Sequence, residues 1–432
     1  SLNRFESEAG DPNLWTPIVT DRRLNYGEKV TYFQDYKPFF SREKILKIID
    51  VSRVRITNLF DLVKPDSVFT LYTNTFGDCL GHMVAKSRGI KSYDLRLARL
   101  KNYVMLVDGV NEPPPHISEK YDSKEFSEQD LEMAEEYISQ VVNENAMYEG
   151  VVPSKSNKPK SGRKKSFKGI GEKILPFLFD SINNDYGKDP QNPNVLNKYF
   201  HKNVLNPRNN TNIEKKLSDY FVDLDFIENQ NCVLYPLHTE PELVLSQFAR
   251  PYLNQIEVIR NISMSLPLTK ILLVKEHPLM IGRRTLGYYK KLLEIPNVKL
   301  VKFDLSSELV LKEVELVIVI RGAIGLEAAI KKIPVISLGK SMFQILPNDM
   351  FRYCDSLYNL PNDVKYMLEN YKYDKESLKR YLSSVISGSV PVNLVTDLLG
   401  KKNRFREDTE SYNFSEHPHL DLLSDYIIDR IQ

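Results

Sequence analysis

LVIVIRGAIGLEAA, residues 316–329, is an apolar run that breaks into a small-residue turn and then a helix-forming stretch. A run without polar alternation suits a strand covered on both faces. Working outward, VLYPL (233–237), ILLVKE (271–276), residues 298–303 and PVISLG (334–339) are further strand candidates. Helical spacing falls between them. One helix starts near Pro251 with Leu253, Ile256, Ile259 and Ile262 on one face, and others cover 286–293, 308–313 and the stretch after 325 to about Lys331. Strand and helix alternate throughout, which predicts an α/β domain with a parallel, Rossmann-like sheet.

The first third alternates in the same way. Residues 45–63 repeat at helical spacing and stop at KPD (64–66), SVFTLY (67–72) reads as a strand, and TNTFGD (73–78) leads into a helix reaching Lys86. Residues 90–95 and 102–109 are strand candidates, and 128–142 is one more helix. A second parallel sheet is therefore expected. Between the two domains, 151–168 carries seven Lys or Arg residues and no acid, and 183–212 is crowded with Asn and Pro. These read as an insertion and a loop-rich connector. The expected units are an N-terminal Rossmann-like domain (1–150), a connector (151–230), a second Rossmann-like domain (231–362) and C-terminal helices (363–432) packing back across both.

Composition narrows the function classes. The 432 residues hold 59 Lys+Arg against 57 Asp+Glu, a net charge of +2, so the basic excess of a nucleic-acid binder is missing. Cys79, Cys232 and Cys354 form no CxxC pair, which argues against a disulfide framework or a zinc module. No run of 18 apolar residues suggests a membrane span, and the opening SLNRFESEAG is not an intact signal peptide. A cytoplasmic protein is expected. The basic stretch 155–168 reads either as a solvated loop or as a peripheral contact with an anionic membrane.

Ligands of open α/β sheets bind beyond the carboxyl ends of the strands, and three such ends carry notable side chains. PLHTEPE (236–242) offers His238, Glu240 and Glu242 for acid/base work or sugar hydroxyls. A zinc reading of the same residues lacks a third ligand cluster. VKEHP (274–278) offers Lys275 and His277, with Pro278 fixing the backbone and Arg283 and Arg284 close behind. RGAIGLEAA (321–329) offers Gly322, Ala323, Ile324 and Gly325 for close approach to a phosphate at a helix N-terminus, with Glu327 one turn in for ribose hydroxyls. Each also fits a plain structural role: a tight turn, a partly buried histidine, a solvated helix start. In the first domain, residues 73–78, Asp108 and Glu112 are the polar groups near strand ends.

YPLHTEPE (235–242), VKEHPLMIGRR (274–284), PNVKLV (296–301), RGAIGLEAA (321–329) and PVISLG (334–339) occur in an order and spacing that resemble the capsule polysaccharide biosynthesis protein family. Arg321 and Ala323 stand where the resemblance implies small or hydroxyl-bearing residues. Members are similar to GT-B glycosyltransferases, including the Kdo transferases of capsule assembly. The resemblance implies two Rossmann domains around a cleft, a nucleotide-sugar donor on the second domain, and a glycan or glycolipid acceptor on the first. It further implies that His277–Pro278 and the 322–327 turn hold the nucleotide. With no DxD pair at a strand end, neither a metal nor another cofactor is expected. A UDP-sugar 2-epimerase-like enzyme and a non-catalytic scaffold that binds nucleotide-sugar or glycan are the competing readings.

Overall fold

The computed structural model describes residues 2–9, 14–27, 36–71, 73, 75–108, 113–144, 200–240, 242, 244–392 and 418–431. Glu112, the basic run 151–168 and the first part of the connector lie outside the described residues.

The first sheet contains β1 (Ser67–Leu71), β2 (Lys91–Leu97) and β3 (Tyr103–Asp108). Strands β1 and β2 run parallel, joined by the helix Phe76–Ser87. Strand β3 is antiparallel to β2, with Leu95 opposite Leu106. The sheet is therefore mixed, where the sequence reading expected it wholly parallel. The reason is the link at 98–102: a parallel crossover needs about a dozen residues or more, and these few can close only a hairpin. Arg99 and Lys101 take positive φ values of 58° and 40° to turn the chain there.

The second sheet is built from β4 (Phe221–Val222), β5 (Cys232–Pro236), β6 (Ile271–Lys275), β7 (Val298–Val301), β8 (Leu316–Val319), β9 (Val335–Ser337) and β10 (Phe351–Tyr353). Its seven strands are all parallel, in the order β10-β9-β8-β5-β6-β7-β4. The apolar runs that predicted it are the reason it sits inside: Val233, Leu234, Leu272, Leu273, Val317 and Ile318 are all fully buried. Strand β5 has β6 on one side and β8 on the other, so the chain reverses its direction of travel across the sheet there. That is the topological switch point, where a crevice opens between diverging loops.

The connector departs from the loop-rich expectation at its C-terminal end. Residues 201–205 continue into the helix Asn206–Lys216, with Pro207 in the first turn, where a missing N–H costs nothing. Strand β4 then joins the edge of the second sheet.

After the second sheet the chain returns to the first half. The helix Lys375–Ser387 buries Leu378, Tyr381, Leu382 and Val385 in one core with Ile117 and Tyr121 of Pro115–Ser123 and Ala134 and Tyr137 of Glu128–Glu144. Strand β11 (Val390–Pro391) pairs antiparallel with β3, and the helix Pro418–Ile431 seats Leu423 against Val104, Val390 and Val392. The result is a GT-B-like α/β architecture of two helix- and strand-rich regions, with C-terminal helices packed back across.

Candidate functional site

Beyond β5 the loop is held rigidly. The His238 backbone N–H donates to Gln255 Oε1 at 2.8 Å, and Gln255 Nε2 donates to the His238 carbonyl at 3.2 Å and to the Glu240 carboxylate. Gln255 opens the helix Gln255–Ser265 and is buried, so the loop is tied to a fixed element. The His238 ring places Nδ1 3.0 Å from Glu242 Oε2. Burial alone would raise the Glu242 carboxyl, but the hydrogen bond with His238 and the nearby His238, His277 and Arg99 bring it below the usual carboxylate value. An ionised Glu242 can only accept, so Nδ1 carries the ring proton and, in the neutral ring, Nε2 keeps its lone pair.

Beyond β6 the tautomer is reversed. His277 caps the short helical turn Pro278–Met280, its Nδ1 accepting the Leu279 backbone N–H at 3.2 Å. Burial lowers its pKa; Glu242 opposes this, while His238, Arg284 and Lys275 add to it. A neutral ring that accepts at Nδ1 must donate at Nε2. The neighbouring Lys275 is buried, donates from Nζ to the Leu305 carbonyl at 2.6 Å, and is lowered by burial to about 8.

Arg284 sits behind these loops and is fully buried. Its Nε donates to Glu276 Oε2 at 2.9 Å, Nη1 to Glu240 Oε2 at 2.6 Å and Nη2 to the His238 carbonyl, and its guanidinium lies 4.5 Å from the Tyr288 ring centroid. Tyr289 Oη and the His277 backbone N–H, both at 2.7 Å, complete the Glu276 shell. Burial opposes the charge on Arg284, yet Glu276 and Glu240 raise its pKa above the ordinary guanidinium value. One cation thus fastens the β5 and β6 loops together. Arg283, by contrast, is exposed, as is Pro278.

Beyond β8, Gly322 is the N-cap of the helix Ala323–Ile330 and has no side chain to occupy the first-turn N–H groups. A Cβ on Gly322 would stand 3.9 Å from His238 Cε1, which puts the two switch-point loops side by side. Gly325 faces the other way. A Cβ there would meet Val319 at 3.2 Å, so this glycine lets the helix lie close on the sheet. Glu327 pairs with Lys331 at 2.8 Å.

The first region meets the second at Phe248, next to the loop beyond β8. Arg96 on β2 and Arg321 lie 5.0 and 3.9 Å from the centroid of the Phe248 ring. Asp94 Oδ2 accepts from Arg96 Nε at 2.6 Å, and Asp94 Oδ1 accepts from the Thr73 backbone N–H at 2.9 Å. Thr75 and Asp78 form a capping box at the start of Phe76–Ser87.

The structure thus sets His238 beside Gly322 and His277 close enough to feel the charge of Glu242 and His238, with Glu240 and Arg284 bound to each other. Sequence reasoning did not single out Gln255, Tyr289, Arg96 or Phe248, and it left the Glu242–His238 pairing unread. The i,i+4 spacing of that pair was its only visible signal. Among the described residues no group of three His, Cys, Asp or Glu side chains is arranged to hold a metal ion, and no helix is long and apolar enough to cross a membrane.

A comparison with curated proteins found no match. Among solved structures, the chain is similar to a beta Kdo 2,7 transferase, KpsC of Thermosulfurimonas dismutans, at 11% identity over 80% of this chain and 88% of that one, with a TM-score of 0.40. It is also similar to the beta Kdo 2,4 transferase of the same KpsC (10% identity, 74% and 78% covered, TM-score 0.39). The UDP-GlcNAc 2-epimerase from Methanocaldococcus jannaschii is a further match (16% identity, 79% and 82% covered, TM-score 0.28). Residues 192–346, which run from the connector through the three switch-point loops, match the family described as capsule polysaccharide biosynthesis protein, and over that stretch the chain carries a domain of this family.

Proposed function

We propose that the chain is a GT-B glycosyltransferase that moves a sugar from a nucleotide-sugar donor to a surface polysaccharide or glycolipid acceptor. A CMP-activated acidic sugar such as Kdo is the donor class the sequence resemblance implies. The observation that carries the reading is the pair of histidines in opposite tautomers at the switch point. His277 Nε2–H donates to the donor phosphate as the bond from the anomeric carbon to the phosphate oxygen breaks and its electrons pass to the nucleotide. The acceptor oxygen bonds to the anomeric carbon, and its proton goes to His238 Nε2, where Glu242 steadies the imidazolium. The first-turn N–H groups of Ala323 and Ile324, left open by Gly322, take up further phosphate charge. Gly325 closes that turn, and Glu327 faces the ribose. Lys275, Pro278 and Arg283 flank the nucleotide. Glu240 and Arg284 act as positioning residues, since they touch the His238 loop. No metal is needed where fixed donors meet the leaving charge.

The test uses His277→Asn, which keeps a capping acceptor for the turn at 278–280, beside His277→Ala. Loss of one preorganised donor lowers turnover about 100–1,000-fold. Both variants should lose transfer to that degree, while only His277→Ala loses the cap, worth about 1 kcal/mol in a thermal melt. Near-wild-type transfer by His277→Asn rejects the assignment. Acceptor-independent isomerisation of a UDP-sugar makes the chain an epimerase, and no thermal shift with CMP, UDP or GDP makes it a scaffold.

A further inference from the structure

The helix Arg42–Val63 buries one face and leaves the other uncovered. Ile45, Ile49 and Phe60 are buried against the helix Phe76–Ser87, through Leu80, Met83 and Val84. On the opposite side, positions 44, 47, 51, 55, 58 and 62 follow each other at spacings of three and four residues, and all are exposed. Three of them are cations: Lys44, Lys47 and Arg55. None of the three forms an ion pair among the described residues. The apolar members Val51 and Leu62 are 44% and 82% exposed, with Val54 and Leu59 beside them at 40% and 53%.

This stripe holds no acid. The helix's carboxylates, Glu43, Asp50 and Asp61, fall on its flank, and two are already paired: Asp50 with Arg53 at 3.0 Å and Asp61 with Arg88 at 2.8 Å. A surface helix normally mixes both charges on its solvent face and keeps large apolar groups off it. Uncompensated Lys and Arg alternating with Val and Leu along one face is the pattern of a helix lying in a membrane interface. There the apolar groups enter the acyl boundary while the long basic side chains reach anionic head groups.

We propose that the exposed face of Arg42–Val63 docks the protein onto an anionic lipid surface. This contact is separate from the basic run at 155–168 and does not rest on the transferase reading.

The experiment is co-sedimentation of the full chain with vesicles of phosphatidylcholine alone and of equimolar phosphatidylcholine and phosphatidylglycerol. Binding to the mixed vesicles only, weakened by salt, is expected. Each basic residue at the surface strengthens partitioning about fivefold, so Lys44→Gln/Lys47→Gln/Arg55→Gln should weaken it roughly a hundredfold. Val51→Ser/Leu62→Ser, which leaves every charge in place, should also weaken it. The sites are exposed, so both variants should melt like the parent. Three outcomes overturn the proposal. The first is no binding to mixed vesicles, and the second is binding that neither variant weakens, which would pass the contact to 155–168. The third is a concentration-dependent dimer, in place of vesicle binding, that the serine variant abolishes, which would make a second copy the occupant of this face.

Discussion

At the scale of the residue, Arg284 shows how much of this site is support. Its guanidinium is saturated by two carboxylates and a carbonyl, so its charge serves the loops around it. Replacing it with Met fills much of the volume but leaves the buried Glu276 and the partly buried Glu240 without their cation. Breaking a buried pair from one side costs about 3–5 kcal/mol. Arg284→Met should lose that much in denaturant unfolding at neutral pH, and less in acid, where the stranded carboxyls can take up protons. A loss below about 1 kcal/mol would mean that the buried network contributes no more than a surface pair. The placement of His238, His277 and Gly322 just past the carboxyl ends of β5, β6 and β8 was legible in the sequence, because the apolar runs mark where those strands stop. The partners that decide their proton positions were not. Gln255 comes from a neighbouring helix and the Leu279 N–H from a turn of the backbone, and neither has a sequence signal.

At the scale of the element, the apolar strands β5, β6 and β8 were readable because burial on both faces leaves a continuous signal, and the helix Leu286–Leu293 because its buried Tyr289 and Leu292 recur at helical spacing. Direction was not in that signal, and so β3 was expected to run the wrong way. Asparagine and proline masked the helix Asn206–Lys216, yet those residues have definite tasks. Asn209 Nδ2 donates to the carbonyls of Gly282 and Arg284 at 2.8 Å each, which fixes the loop that delivers Arg284. Gly282 makes the approach feasible. Its φ is 78°, and a Cβ would stand 2.2 Å from the Asn206 carbonyl oxygen. Gly282→Ala should therefore destabilise by at least about 2 kcal/mol, from left-handed backbone and steric clash together. Calorimetry measures it, and an unchanged melting temperature would show that the loop can move aside.

At the scale of the whole molecule, the two regions are joined through the returning C-terminal segments, and one histidine makes that closure sensitive to acid. His116, at the start of Pro115–Ser123, is lowered to about 4 by burial and then by Arg430, against a hydrogen bond with the Gly388 backbone. The same Gly388 carbonyl accepts from Tyr426 at 2.9 Å and from Arg430 at 3.5 Å, both on the helix Pro418–Ile431. The unfolded chain takes up a proton at its ordinary value of about 6.5 while the folded chain resists down to about 4. Stability from this group is therefore full above about 6.5, falls as the pH drops through that window, and is lost below about 4, for a total of up to roughly 3 kcal/mol. His116→Asn should flatten that part of the stability profile, and identical slopes for the two proteins would exclude it. The closure has a second consequence, for the order in which the chain can be completed. Val390 pairs with Val104, nearly three hundred residues earlier, so β3 keeps an open edge until the ribosome has passed residue 390. During that interval the edge is a template for any passing strand, so the protein is open to mispairing while it is being made.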